Sequence, residues 1–163
     1  MNLILTSDWH LGLQQYGDPR RENDVYNAAK FIVDFAINSK YPILLAGDIL
    51  DSCNPVEKAV SELKDLHLKL VEANIPAFYI NGNHDNTSEH WLNVVSRPSD
   101  KGGFIELKPN QAITVDNEVI VGITAYSRKE IIEQLDEAPQ NATIILMHTR
   151  CKEFIQYNDK TTN

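Results

Sequence analysis

Cysteine is scarce in this chain, with two in 163 residues. Cys53 and Cys151 lie far apart and in no metal-ligand spacing, which excludes a disulfide scaffold and a thiolate metal centre. Reduced thiols with an incidental or structural role are expected. Long apolar runs are also missing. The longest are strand-sized, too short to span a bilayer, and Met1 leads straight into the first of them, so neither a signal peptide nor a membrane span is expected and the default location is cytoplasmic. Positive charge is in deficit too. A formal net charge of -8 argues against a broad basic surface for nucleic acid. It leaves phosphate chemistry open, because much of the acidity falls in solvated helix faces such as Glu130, Glu133, Asp136 and Glu137. Bound divalent cations would reverse the sign of the field where a phosphate enters.

What the chain does have is 42% hydrophobic content in a regular arrangement, enough for one core and too little for two ordinary domains. Residues 1–163 therefore read as a single domain, or part of one. Short apolar runs bounded by loop residues alternate with helical patterns: Leu3-Ile4-Leu5, Ile43 to Ala46, Ala77 to Ile80 and Ile144 to Met147 read as buried strands of an α/β sheet. Leu11 to Arg21 reads as a loop, and Glu22 to about Asn38 carries Val25, Ala28, Ala29, Ile32, Phe35 and Ala36 at helical spacing. A second helix is expected to start with Asn54 as N-cap, Pro55 in first position and Glu57 as capping partner. Its apolar face runs from Val56 to Val71, with His67 packed or half-exposed beside it. A short helix is expected around Glu89 to Val95, with His90 open between a site contact and a surface residue. Further on, Phe104 to Leu107, Ala112 to Val115 and Val119 to Thr124 read as strands, with Asp116-Asn117 as a tight turn between the last two. A last helix is expected from about Arg128 to Leu135.

Chemistry-bearing residues stand directly behind four of these strands. Ser7-Asp8-Trp9-His10, Gly47-Asp48-Ile49-Leu50-Asp51 and Gly82-Asn83-His84-Asp85 follow the first three, and His148 closes the run at Met147. Ligands of open α/β sheets bind outside the carboxyl ends of the strands, where these positions would gather. Singly, an Asp or Asn after a strand is most often a turn or cap residue. Three such motifs at three successive strand ends, with a histidine at a fourth, make a metal site the better reading. Asp, His and Asn together suit borderline ions such as Mn²⁺ or Fe²⁺. Asp8 and His10, two apart in an extended segment, point the same way and can grip one ion. Asp48 is expected to bridge two ions through its two oxygens, with Asn83 and His148 on the second. Two carboxylates about 4 Å apart repel by about 4 kcal/mol at an effective dielectric near 20, so cations are wanted there. Two ions about 3.5 to 4 Å apart clamp a phosphoester and activate a water for attack, which makes phosphoryl hydrolysis the implied reaction. His84 would protonate the leaving oxygen or stabilise transition-state charge, with Asp85 holding its imidazole. Asp51 is expected to support a ligating histidine from behind.

These motifs resemble those of the calcineurin-like metallophosphoesterases from Leu3 to His148. Within that family the sequence is most similar to the nuclease subunits of SbcCD-type DNA repair complexes. Thr6 to Gly12 resembles the opening motif of that group. Ala46 to Asp51 followed by Pro55 resembles its second motif, and Arg21 to Asp24 stands where it places an Arg and an acidic residue before the first helix. The resemblance implies an αββα sandwich with mixed sheets, here lacking its last strands. It implies two divalent ions, Mn²⁺ first, held by Asp8, His10, Asp48, Asn83 and His148, with His84 catalytic and supported by Asp85. Exonuclease and possible endonuclease action on DNA in repair or recombination would follow, with an SMC-like ATPase as partner and a homodimer formed through the early helices. The family closes its site with Gly-His-x-His, and no histidine follows His148. An incomplete catalytic domain is therefore expected. A phosphoesterase for a small phosphodiester or a phosphoprotein, and a non-catalytic binding remnant, are the alternatives.

Overall fold

The computed structural model describes residues 2–85, 91–94, 102–109, 111–125 and 127–149. Four short strands, β1 (Ile4–Thr6), β2 (Ile43–Ala46), β3 (Pro76–Ile80) and β4 (Gly103–Glu106), form one wholly parallel sheet in the order β1-β2-β3-β4. Parallel neighbours need crossover connections, and the first two are helices, α1 (Pro19–Ser39) and α2 (Glu57–Glu72). Both cover the same face of the sheet. Ala29, Val33 and Ala36 of α1 and Ala59, Leu63, Leu66 and Leu70 of α2 share one core with Ile43, Leu45, Ala77 and Tyr79.

The opposite face carries Leu44, Phe78 and Ile80 and meets a second sheet through Leu107, Ile120 and Leu146. That sheet is β5 (Ala112–Val115), β6 (Glu118–Ile123) and β7 (Ile144–Met147), with β5 and β6 antiparallel and β6 and β7 parallel. Asp116 and Asn117, at φ 47° and 70°, form the two-residue turn between β5 and β6, a conformation these residue types tolerate. The helix α3 (Arg128–Glu137) lies against β6, where Gln134 accepts the Thr124 N–H at 3.0 Å. Two helices, a parallel sheet, a mixed sheet and a further helix make the expected αββα sandwich. No helix among the described residues is long and apolar enough to cross a membrane.

Several strands lie one residue from the ranges read in the sequence, and two helix starts differ by more. α1 begins three residues before Glu22, because Asp18 caps it through the Arg20 N–H at 2.9 Å and Pro19 opens it. α2 begins at Glu57 and not with Asn54 as its cap; Val56 takes the N-cap position without a side-chain bond. The residues before it are held elsewhere, since Asn54 N–H is bound by Ser52 Oγ at 3.1 Å and Val56 sits beside Gly12, within 3.5 Å of where a Cβ would lie. Of the expected helix around Glu89, a 3-10 turn at Trp91–Val94 is present, while His90 and Cys151 lie outside the described residues. Cys53 is exposed.

Sequence reasoning also gave no sign that Glu22 is buried. Its carboxylate accepts the Tyr26 hydroxyl at 2.6 Å and Gln14 Nε2 at 2.8 Å, with Lys58 Nζ at 3.9 Å, tying the segment after His10 to both helices. The Tyr26 bond holds the Glu22 carboxyl below its usual range, against its burial.

His67 is buried, stacks on Phe104, and accepts the Phe104 N–H through Nδ1 at 3.0 Å, joining α2 to β4. Burial lowers its pKa below 6.5. A depressed folded value means the unfolded chain takes up the proton first, so stability present above the unfolded pKa is lost as pH falls through the folded one. Thermal melts at pH 7.5 and 5.5 are expected to show a drop that shrinks in His67→Phe. That variant should also be weaker at pH 7.5 by about 1 to 3 kcal/mol, because it strands the Phe104 N–H. An unchanged pH dependence in His67→Phe would remove His67 from the account.

Candidate metal centre

The residues singled out behind the strands gather at the carboxyl edge of the two sheets, most of them around one cleft of about 860 Å³. Its walls are Ser7, Asp8 and His10 after β1, Ala46 and Asp48 at the end of β2, Asn83 and His84 after β3, and Met147, His148 and Thr149 from β7 onward. The loops after β1 and β2 run side by side, with Asp8 N–H on Gly47 O at 3.0 Å and His10 N–H on Asp48 O at 3.0 Å. The loops after β2 and β3 touch through glycines. A Cβ on Gly47 would lie 2.8 Å from Gly82 Cα, and one on Gly82 would lie 2.1 Å from Asp48 Oδ1. Gly-Asp and Gly-Asn are thus steric requirements of the site.

Asp8, His10 and Asp48 hold φ of 55°, 47° and 52°. Such left-handed backbone at non-glycine residues typically costs of order 1 kcal/mol or more each and collects where function over-determines the chain. Here it turns three polar side chains into one cleft.

Asp48 is the buried centre. Its Oδ1 accepts the His84 N–H at 3.0 Å, while Oδ2 lies 3.3 Å from His148 Nε2 and 3.7 Å from His10 Nε2. One oxygen therefore faces both histidines. His148 Nδ1 lies 2.8 Å from Ala46 O and His84 Nδ1 lies 2.7 Å from Asp51 O. A carbonyl only accepts, so both Nδ1 atoms carry hydrogen and both Nε2 atoms are left for the cleft. His148 Nε2 is also 3.3 Å from Asn83 Oδ1, the pair expected on one ion. Asp51 Oδ1 stands 3.2 Å from His10 Nδ1, off the direction of a good hydrogen bond, and this nitrogen has no other partner among the described residues. The rings of His10 and His84 meet edge to face at 4.9 Å. Asp8 Oδ1 is 3.9 Å from His10 Nε2, and its other oxygen takes the Ser7 hydroxyl.

Two clusters share Asp48: Asp8, Asp48 and His148, and His10, Asp48 and His84, each with donor atoms within 4.8 Å. Carboxylate oxygen, imidazole nitrogen and an amide oxygen make a donor set fitted to borderline divalent ions.

The expected role of Asp85 needs correction. Its carboxylate does not contact the His84 imidazole, which rests on Asp51 O. Oδ1 accepts Leu50 N–H at 2.8 Å, and Oδ2 accepts Ile49 N–H at 3.1 Å and Gly82 N–H at 2.9 Å. Adjacent residues of the turn point differently, and Asp85 points down into the protein. Burial pushes its carboxyl above the usual range, opposed by the three N–H groups, with Asp48 adding to the rise. Ser7, Met147 and Thr149 line the cleft without having a site role in the sequence reading, although each neighbours a residue singled out there.

The family model of the calcineurin-like phosphoesterases matches residues 1–159. Among curated proteins, the DNA double-strand break repair protein Mre11 of Sulfolobus acidocaldarius is 28% identical over 96% of this chain and 43% of its own length. That of Sulfurisphaera tokodaii is 32% identical over 95% of this chain and 42% of its own length. The SbcD component of the nuclease SbcCD of Staphylococcus saprophyticus is 36% identical over 60% of this chain and 26% of its own length. The chain spans less than half the length of these relatives.

Proposed function

This chain belongs to the calcineurin-like phosphoesterase family, and on that premise we propose that it is the catalytic domain, or part of it, of a Mn²⁺-dependent DNA repair nuclease. The observation that carries the reading is the buried Asp48 Oδ2 set between His148 and His10, with Asn83 and His84 on the same cleft. The names of the relatives, a DNA double-strand break repair protein and a nuclease subunit, support DNA as the substrate and its hydrolysis as the reaction. Exonuclease action, with endonuclease action beside it, is the finer part of the proposal. Asp8, His10 and Asp48 would hold one ion, and Asp48, Asn83 and His148 the other. Divalent ions held there would supply Lewis-acid polarisation of the phosphodiester and of a water, and positive charge that makes an acidic protein hospitable to phosphate.

The chain's own residues do the rest. Asp51 O fixes the Nδ1–H of His84 and so aims Nε2 into the cleft. With the ring in its imidazolium form, protonated on both nitrogens, the Nε2 proton would pass to the departing oxygen as the P–O bond breaks, leaving the neutral Nδ1–H tautomer. Ala46 O fixes the His148 tautomer in the same way and leaves Nε2 as a donor atom. A longer assembly follows from the same reading: an SMC-like ATPase as partner in DNA repair and recombination, in the cytoplasm. Phe31 and Phe35, stacked on α1 and 70% and 50% exposed, support a homodimer through that helix.

The test combines calorimetric Mn²⁺ titration with hydrolysis of end-labelled duplex DNA, a small phosphodiester and a phosphoprotein. DNA cleavage is expected, reduced about 100-fold or more in His84→Asn with Mn²⁺ affinity kept. Turnover of the small diester or the phosphoprotein with intact DNA would place the chain elsewhere in its family. Ion binding without any turnover would make it a binding module.

A further inference from the structure

Asp85 is a buried carboxylate at the site that the reaction does not use, and it is bonded to the loops on both sides of that site. Its two oxygens take three backbone N–H groups, two from the loop that carries Asp48 and one from the turn that carries Asn83 and His84. Asp48 makes the reverse connection, with Oδ1 on the His84 N–H. Between these bonds the backbones of Gly47 and Gly82 are in contact, too close for any side chain. From this closure we infer that Asp85 is a positioning residue, a clasp whose main-chain bonds set the distance between Asp48 and the Asn83-His84 pair. The inference rests on the assignment of those three residues to the metal site.

The chemistry requires a carboxylate. Three converging donors need an acceptor at both positions, and Asp supplies lone pairs on two oxygens at the length of one methylene. In Asp85→Asn the oxygen can serve Ile49 and Gly82, while the amide nitrogen then faces the Leu50 N–H, donor against donor. In Asp85→Glu the extra methylene has no room, because Asp85 is only 4% exposed. An acceptor set on both loops acts before any ion arrives, so the effect belongs to the metal-free protein too.

Amide exchange of metal-free wild type and Asp85→Asn, followed by nuclear magnetic resonance, tests this without substrate. Ile49, Leu50 and Gly82 are expected to be protected in the wild type. In Asp85→Asn the Leu50 amide should exchange at least about 10-fold faster while Ile49 and Gly82 keep their protection. Mn²⁺ affinity should fall about 10 to 100-fold, as it does when outer supports of metal sites are lost. The ¹⁵N pattern of the His84 ring should stay that of the Nδ1–H tautomer. Wild-type amides at these three positions that exchange like exposed loop amides would overturn the clasp, and this arm stands even if the variant does not fold. A changed His84 ring pattern with Mn²⁺ affinity intact would overturn it in favour of direct support of the imidazole. Failure of DNA hydrolysis in the wild type would leave both readouts in place and count against the nuclease reading alone.

Discussion

Asp48→Asn is expected to fold, to bind neither ion and to lose hydrolysis to background. Position 48 sits at φ 52°, where Asn is among the best-tolerated residues, so the backbone should accept the change. The oxygen of the new amide must stay where Oδ1 is, because the buried His84 N–H needs its acceptor. That puts the NH₂ group where Oδ2 stood, 3.3 Å from His148 Nε2 and 3.7 Å from His10 Nε2, and an amide nitrogen offers no lone pair to a cation. Losses of outer supports alone cost about 10 to 100-fold in affinity, so loss of the shared oxygen should exceed that range. Stability should separate from function. The metal-free variant is relieved of one of several neighbouring carboxylates, Asp8 and Asp85 among them, and should melt at or above the wild-type temperature. Wild type should gain about 2.7 kcal/mol for each ion at Mn²⁺ near 100 times its Kd, roughly 5 to 10 °C per ion for a chain of this size, and the variant should gain nothing. Two ions retained by Asp48→Asn would remove Asp48 from the centre of the site.

How far this site could be read without coordinates depends on the range of the interactions that build it. The strands follow from local facts: Ile43 to Ala46, Ala112 to Val115 and Ile144 to Met147 begin and end where their apolar runs do. The Asp116-Asn117 turn and the Ser127 start of α3, with its reciprocal Glu130 bonds, are also written in adjacent residues. Gathering of Asp8, Asp48 and Asn83 follows from parallel pairing, since parallel strands end on the same edge. His148 is a different case. It reaches Ala46 O across 102 residues only because β7 of the second sheet packs over β2, and no periodicity encodes that stacking. Asp85 was misread for the same reason, as its partners Ile49 and Leu50 lie 36 and 35 residues away and offer main-chain groups that leave no mark in a sequence. Glu22 illustrates a third limit. A charged residue at a helix start reads as solvated, and only the distant Gln14 and Lys58 and the packed Tyr26 make its burial affordable. The α2 start failed through competition, because good cap chemistry at Asn54 yields to a loop held in place by Asp51 and Val56.

The steric side of the site gives the second large effect. Gly82→Ala places a methyl 2.1 Å from Asp48 Oδ1, 2.2 Å from Asp48 N and 2.8 Å from Asp48 Cγ. None of these atoms can yield cheaply: one is main chain, and the carboxylate is fixed by the His84 N–H. The loops must part by about an ångström to reach an ordinary contact. That movement would stretch the bonds of Asp85 to Ile49 and Leu50 and of His84 to Asp48 together, leaving buried donors short of acceptors. A loss of about 3 kcal/mol or more is expected, the upper range of overpacking, because steric strain and stranded hydrogen bonds add. Gly122→Ala is the control. Its methyl would also lie 2.8 Å from Ile80 Cγ2 and from Leu107 Cβ and 3.2 Å from Leu107 O, in the core between the sheets and away from the cleft. Ile80 can turn aside but Leu107 must shift with its main chain, so about 1 to 3 kcal/mol is expected there, with Mn²⁺ binding unchanged. Urea unfolding with parallel Mn²⁺ calorimetry distinguishes the two. If Gly82→Ala loses stability no faster than Gly122→Ala and still takes up both ions, the contact between the two loops is not what sets the metal centre.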